Sequence, residues 1–287
     1  MIEPSISAIE GSFVFIPKRL SWFAIGLRPD LSPDVMRLKM NQIKNSDCSI
    51  LWHAHSTWSI RIGKTHLLID PFLDDNPAAK TKASSLTPSH ILISHGHFDH
   101  IADAASIANR SKATVLANYE IATWLAKHHS VQNTIGMNHG GTFRSDQDGL
   151  KLSVQLVPAI HSSSLPDGSY GGTAGGWVID WQSDKSSGRI YYAGDTALFS
   201  DMQWVARTHV DLFIVPIGDL FTMGVDDSIE ATRFIQPSFV MPTHYGTWPP
   251  IAQDAQAWAK QIEAKTDAKA VVPEIDKPWS LPVSKLP

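Results

Sequence analysis

The chain of 287 residues is 43% hydrophobic and 18% charged, with a formal net charge of −4. This is the balance of a globular protein long enough to bury a large core without staples, and it argues against a protein that coats nucleic acid. One cysteine, Cys48, excludes an intramolecular disulfide and a cysteine-built zinc site, so any metal must rest on His, Asp or Glu.

Residues 1–47 read as an N-terminal extension without a candidate site residue. Its apolar stretch 12–27 is broken by Pro17, Lys18 and Arg19 and is too short to span a bilayer. No basic leader precedes it, so a cytoplasmic protein with no membrane partner is expected. Ser32-Pro33-Asp34 marks a helix start, and Met36, Met40 and Ile43 trace one helical face. Met36 and Met40 are alternative starts of the chain. Residues 48–287 form the main domain. There, 49–52, 57–62 and 66–69 read as a strand meander, with a turn at Gly63-Lys64. A strand at 90–94, a helix at 101–110, a strand at 113–117 and a helix at 120–128 follow. The second half repeats the theme. Strands are expected at 150–158, 177–181, 189–193, 211–215, 238–241 and 270–272, and helices at 226–236 and 253–264. Leu152, Val154 and Leu156 alternate with Lys151, Ser153 and Gln155, as in a half-buried strand. Strands followed by mixed strand–helix units indicate an α/β fold of sheets covered by helices.

The chemistry concentrates in His95-Gly96-His97-Phe98-Asp99-His100, four potential ligands just past the apolar strand Ile91-Leu92-Ile93. Neutral imidazole nitrogen and carboxylate oxygen suit a borderline divalent ion, and a tight loop can aim both at one point. A surface loop that merely holds histidines is the bland alternative. His161, Asp195 and His244 each lie just past the end of another apolar run, where strand ends of α/β sheets converge on ligands. Singly each is a weak signal. Together with the first cluster they are enough for two metals.

These motifs, with Ile69-Asp70-Pro71-Phe72, His161-Ser162-Ser163-Ser164, Gly194-Asp195-Thr196, Pro216-Ile217-Gly218-Asp219 and His244-Tyr245-Gly246-Thr247, resemble the metallo-β-lactamase superfamily. Within it they are similar to metal-dependent hydrolases related to L-ascorbate-6-phosphate lactonase and, more distantly, to N-acyl-phosphatidylethanolamine phospholipase D. The resemblance covers roughly 49–280. Ala54 departs from it, since the family carries Gly there. It implies an αββα sandwich with metals between the sheet ends. His95, His97 and His161 would hold one ion, Asp99, His100 and His244 the other, and Asp195 would bridge them. Zinc is expected, with manganese, iron or nickel as alternatives. A metal-bound hydroxide would attack an ester, lactone or phosphodiester, with Asp99, Asp195 and His55 as the catalytic residues. The net positive centre favours a small, anionic substrate rather than nucleic acid; a homo-oligomer is compatible. A di-iron redox protein is the weaker alternative, because His rather than Glu stands at position 97, and a non-catalytic metal-binding module is a third.

Several residues carry two readings. Asp70 either orients a ligand histidine or caps a turn before Pro71. His53 and His55 share a strand face by alternation; His55 is the one expected to contact substrate or move a proton, and His53 to be structural. Asp219, Thr222 and Tyr245 are modest candidates for the pocket wall, and Trp248 for its rim. Gly171-Gly172 and Gly175-Gly176 point to a close backbone approach or a plain loop rather than a phosphate cradle.

Overall fold

The computed structural model describes residues 44–283. The helix expected from Ser32 and the starts at Met36 and Met40 lie outside the described residues. Strands β1 (Lys44–Trp52), β2 (Trp58–Ile62) and β3 (Thr65–Ile69) form the expected antiparallel meander. Parallel strands β4 (His90–Leu92), β5 (Thr114–Asn118) and β6 (Thr134–Met137) extend it. Helices α1 (Phe98–Ile101), α2 (Ala104–Ser111) and α3 (Tyr119–His129) provide the crossovers that parallel pairing requires. The Asn118 side chain starts α3 by accepting from the Ile121 amide. With β14 (Trp279–Val283) on β1, the order is β14-β1-β2-β3-β4-β5-β6.

The second sheet repeats this plan. Strands β7 (Thr142–Gln147), β8 (Leu150–Pro158), β9 (Gly175–Gln182) and β10 (Ser187–Tyr192) are antiparallel. Parallel β11 (Leu212–Pro216), β12 (Phe239–Thr243) and β13 (Lys269–Ala270) follow, with α4 (Val225–Ile235) and α5 (Ala255–Lys265) outside them. The order is β13-β12-β11-β10-β9-β8-β7.

Side-chain alternation stacks these layers. Leu67 and Ile69 pack between the sheets with Trp177, Ile179 and Ile214, while Leu68 turns to the helix side with Ile107 and Ile121. Ile190 and Tyr192 likewise enter the central layer, and Tyr191 meets Phe213, Ile229 and Trp258. Each sheet is therefore apolar on both faces and needs helices outside as well as a partner sheet inside. The result is the αββα sandwich. The parallel strands bring their carboxyl ends to one rim.

The differences from expectation have local causes. The segment expected as one helix from 101 to 110 is two, α1 and α2. Between them Asp103 leaves helical geometry, and its carboxylate accepts from the amides of Leu73 and Asp74. β6, β7 and β14 were not anticipated: they are edge or near-edge strands rich in polar or small residues, and only partly buried. β1 begins at Lys44, ahead of the expected 47/48 boundary, with Lys44 opposite Val283. A chain begun at Met40 keeps both neighbours of β1. It is expected to unfold in urea within about 1 kcal/mol of the full chain; a larger loss would give the first residues a share in the fold.

Candidate metal centre

Every sequence-derived ligand reaches the rim. His95 and His97 lie on the loop after β4, with His97 at the N-cap of α1, and Asp99 and His100 are in that helix. His161, Asp195 and His244 follow β8, β10 and β12. The donor atoms fall into three groups, each within 4.8 Å: His95, His97 and His161; His95, His100 and Asp195; and His55, Asp99, His100 and His244. Asp195 Oδ2 lies 2.9 Å from His244 Nε2, 3.3 Å from His100 Nε2 and 3.8 Å from His161 Nε2, so it touches both ends of the cluster.

Hydrogen bonds set the ring orientations. Asp70 accepts from the Ser94 amide at 2.7 Å, the Ser94 hydroxyl at 2.5 Å, the Tyr192 hydroxyl at 2.7 Å and His100 Nδ1 at 2.9 Å. A proton on His100 Nδ1 is thereby held by Asp70, and Nε2 is the nitrogen that faces the centre. Because the Ser94 hydroxyl donates to Asp70, its oxygen accepts from His95 Nδ1 at 3.0 Å. His95 Nε2 then presents a lone pair 2.9 Å from His97 Nδ1. The orienting reading of Asp70 is the one the contacts show.

Charge follows burial and neighbours. Burial holds His95, His97 and His161 below the usual histidine range, so they are neutral at pH 7. Burial also opposes the proton on His100 and His244, but the Asp195 carboxylate outweighs it, raising His100 strongly and His244 to about 9. Burial would raise Asp195 and Asp99, yet these imidazoles hold both below the carboxylate range.

Sequence alternation misplaced His53 and His55. The chain leaves β1 at Trp52 and turns through left-handed backbone at Ala54 (φ 86°) and His55 (φ 53°), so the two rings do not share a strand face. The family's glycine at this position suits that conformation. His53 bonds Ser59 and Asp276, the structural role expected of it. His55 bonds Asp99 Oδ2 at 3.0 Å and Thr247 Oγ1 at 2.8 Å, and burial lowers it to about 4. Its carbonyl accepts from Trp52 Nε1, Thr243 Oγ1 and the His244 amide, which locks the turn.

Among the weaker candidates, Trp248 lies 5.1 Å from the His55 ring and 5.9 Å from Phe72, at the rim. Tyr245 instead stacks on Trp52 at 5.2 Å. Asp219 and Thr222 sit in the loop after β11 and bond each other through the backbone. The glycine segment is a close approach: a Cβ on Gly176 would meet the Tyr192 carbonyl at 2.6 Å, beside the strand that delivers Asp195. A Cβ on Gly218 would meet the His244 carbonyl at 2.2 Å. Sequence reading did not single out Ser94, Tyr192 or Thr247; only their places beside ligand-bearing segments hinted at a role.

Residues 65–245 match the beta-lactamase superfamily domain. The chain is 44% identical over 216 residues to a UPF0173 metal-dependent hydrolase of Methylacidiphilum infernorum, spanning 75% of this chain and 92% of that one. A UPF0173 metal-dependent hydrolase of Thermus thermophilus is 42% identical over 74% of this chain and 90% of its own. Among solved structures, Igni18, a metallo hydrolase from Ignicoccus hospitalis, superposes with a TM-score of 0.69 at 30% identity, covering 81% of this chain and 97% of that one. The protein belongs to the UPF0173 metal-dependent hydrolases of the beta-lactamase superfamily.

Asp70→Ala would leave the Ser94 amide, Tyr192 hydroxyl and His100 Nδ1 buried without their acceptor. It is expected to cost roughly 3–5 kcal/mol in urea unfolding. Asp70→Asn, which keeps an acceptor oxygen, should lose clearly less; equal losses would contradict the network.

Proposed function

We propose that this protein hydrolyses a small ester, lactone or phosphodiester with two divalent ions, zinc foremost. His95, His97 and His161 would hold one ion, Asp99, His100 and His244 the other, with Asp195 between. The observation that carries the reading is the convergence of the seven donor side chains in groups whose donor atoms lie within 4.8 Å of one another, with His100 Nε2 and Asp195 Oδ1 buried there without a hydrogen-bond partner. Buried polar atoms are rarely left so. His100 Nε2 and His95 Nε2 both face the centre, and a cation there would take the place of the protons that His100 and His97 direct into it.

When bound, divalent ions would polarise the substrate oxygen and lower the pKa of water to roughly 7. The residues supply the rest. Asp70 and Ser94 hold His100 and His95 in the tautomers that face the centre. Asp195 balances positive charge from both ligand groups. His55, neutral by burial, donates its Nε2 proton to Asp99 and fixes that carboxylate. With its hydrogen bonds directed to Asp99 and Thr247, His55 acts as a positioning residue.

Asp195→Ala is expected to lose bound metal, measured by elemental analysis of the purified protein, and to abolish hydrolysis of aryl ester, lactone and aryl phosphodiester substrates. Full occupancy at an unchanged rate would sink the assignment. His55→Ala should keep its metal while kcat falls about 10²–10⁴-fold and KM changes little. His55→Gln, which can still donate to Asp99, should recover part of that loss. Metal lost together with turnover would make His55 a ligand or an orienter on which metal binding itself depends; wild-type turnover would make it merely structural.

A further inference from the structure

Large apolar side chains crowd the same rim. Phe98, between His97 and Asp99, is 55% exposed, and Ile160, just before His161, is also 55% exposed. Leu220 and Phe221 are 67% and 53% exposed. Their loop is tied to the Asp195 segment by the Met223 amide on the Thr196 carbonyl at 2.9 Å, and the Ala197 amide binds the Ile160 carbonyl at 3.0 Å. Phe98, Phe72 and Trp248 are in mutual ring contact at 5.7–6.1 Å, beside His55. Exposed apolar groups gathered around a polar centre mark a binding surface rather than a stray patch.

Charge sharpens the reading. The connecting segments 53–57, 93–103, 159–174, 217–224 and 244–251 contain no lysine or arginine. The connection 70–89 carries Lys80 and Lys82, with Lys82 Nζ 3.5 Å from the Asp74 carbonyl, and 193–211 carries Arg207. Acidic residues outside the ligand set also lie at this end, namely Asp70, Asp74, Asp75, Asp103, Asp167 and Asp219. Recognition of phosphate groups depends on Arg, Lys or helix N-termini that pair with the oxygens a metal does not reach. A substrate with a second anionic group would find no lysine or arginine on the loops that bear His95–His100, His161 and His244.

We infer that the substrate is an uncharged carboxylic ester or lactone whose apolar chain lies on the collar of Phe98, Ile160, Leu220, Phe221 and Trp248. This rests on the hydrolase reading above and narrows its substrate class. In the reaction water adds across the acyl–oxygen bond. The carbonyl carbon gains OH, its bond to the alkoxy oxygen breaks, and the second proton of water goes to that oxygen, giving a carboxylic acid and an alcohol.

The test uses the full, zinc-loaded chain with 4-nitrophenyl acetate, butyrate and octanoate, and with bis(4-nitrophenyl) phosphate. From acetate to octanoate kcat/KM is expected to rise about ten- to hundredfold, since each methylene partly leaves water. The anionic phosphodiester should be the poorest substrate. Leu220→Ser with Phe221→Ser, and separately Ile160→Ser, should bring the octanoate-to-acetate ratio toward one. Calorimetry provides a second readout: octanamide should bind the wild type more tightly than acetamide, and the double variant should lose that difference. Hydrolysis without chain-length dependence, or with preference for the phosphodiester, overturns this inference and leaves the hydrolase reading standing. A dimer that the variants dissociate while the ratio is unmoved also overturns it, making the collar a contact between copies. Failure of the loaded protein on every substrate removes the hydrolase reading itself, and this inference with it.

Discussion

The buried carboxylate of Asp70 is the contact on which the site depends, because it joins the two sheets at the rim. It stands at the end of β3 in one sheet and accepts the Tyr192 hydroxyl from β10 in the other. Its remaining acceptor capacity goes to Ser94 and His100, on the segment that carries the His–Asp cluster. One side chain therefore links the two sheets at the rim, anchors the loop after β4 and orients the ring of a candidate ligand. Fully satisfied, such a buried carboxylate rigidifies its surroundings; partly satisfied, it would be among the costliest groups in the molecule. The neighbours come from separate strands, so the rim folds as a unit or not at all.

Backbone strain gathers at the same place. Asp70 (φ 44°), His55 (φ 53°) and His244 (φ 53°) all take left-handed conformations that side chains with a Cβ rarely adopt. Each is held by more bonds than it would need if relaxed. The His55 carbonyl has three donors on it, one of them the His244 amide, so two strained turns from different sheets brace one another. The short approach of Gly218 to the His244 carbonyl belongs to the same bracing. Strain of this kind aims short connections inward, where an extended continuation of each strand would carry its side chain past the centre.

Much of this was legible in the sequence because chemistry and fold share a pattern. His95, Asp195 and His244 each stand just past an apolar strand of the parallel parts of the sheets, whose ends converge. His161 joins them because β8, two antiparallel pairings from β10, runs in the same direction. What escaped was whatever depends on a turn. Alternation carried past Trp52 put His53 and His55 on one face, and only the unusual backbone at Ala54 shows that the chain has left the sheet. Edge strands such as β7 escaped for the opposite reason, since a strand with little to bury leaves little hydrophobic period to read. Asp70 was legible as a partner for a histidine, but which histidine it serves needed α1 in place.

The electrostatics of the centre also account for what surrounds it. Buried Asp99 and Asp195 attract protons onto His100 and His244, and the same negative charge would attract a cation that displaces those protons. A lysine or arginine in the surrounding loops would compete for these carboxylates and repel an incoming divalent ion. The ligand-bearing loops 93–103, 159–174 and 244–251 carry no basic side chain, which leaves the carboxylates for metal. The same absence leaves these loops without the means to hold an anion. With two aspartates committed to a cation, selectivity would fall to shape and apolar contact, and the exposed Phe98, Ile160, Leu220 and Phe221 are the side chains that would make it.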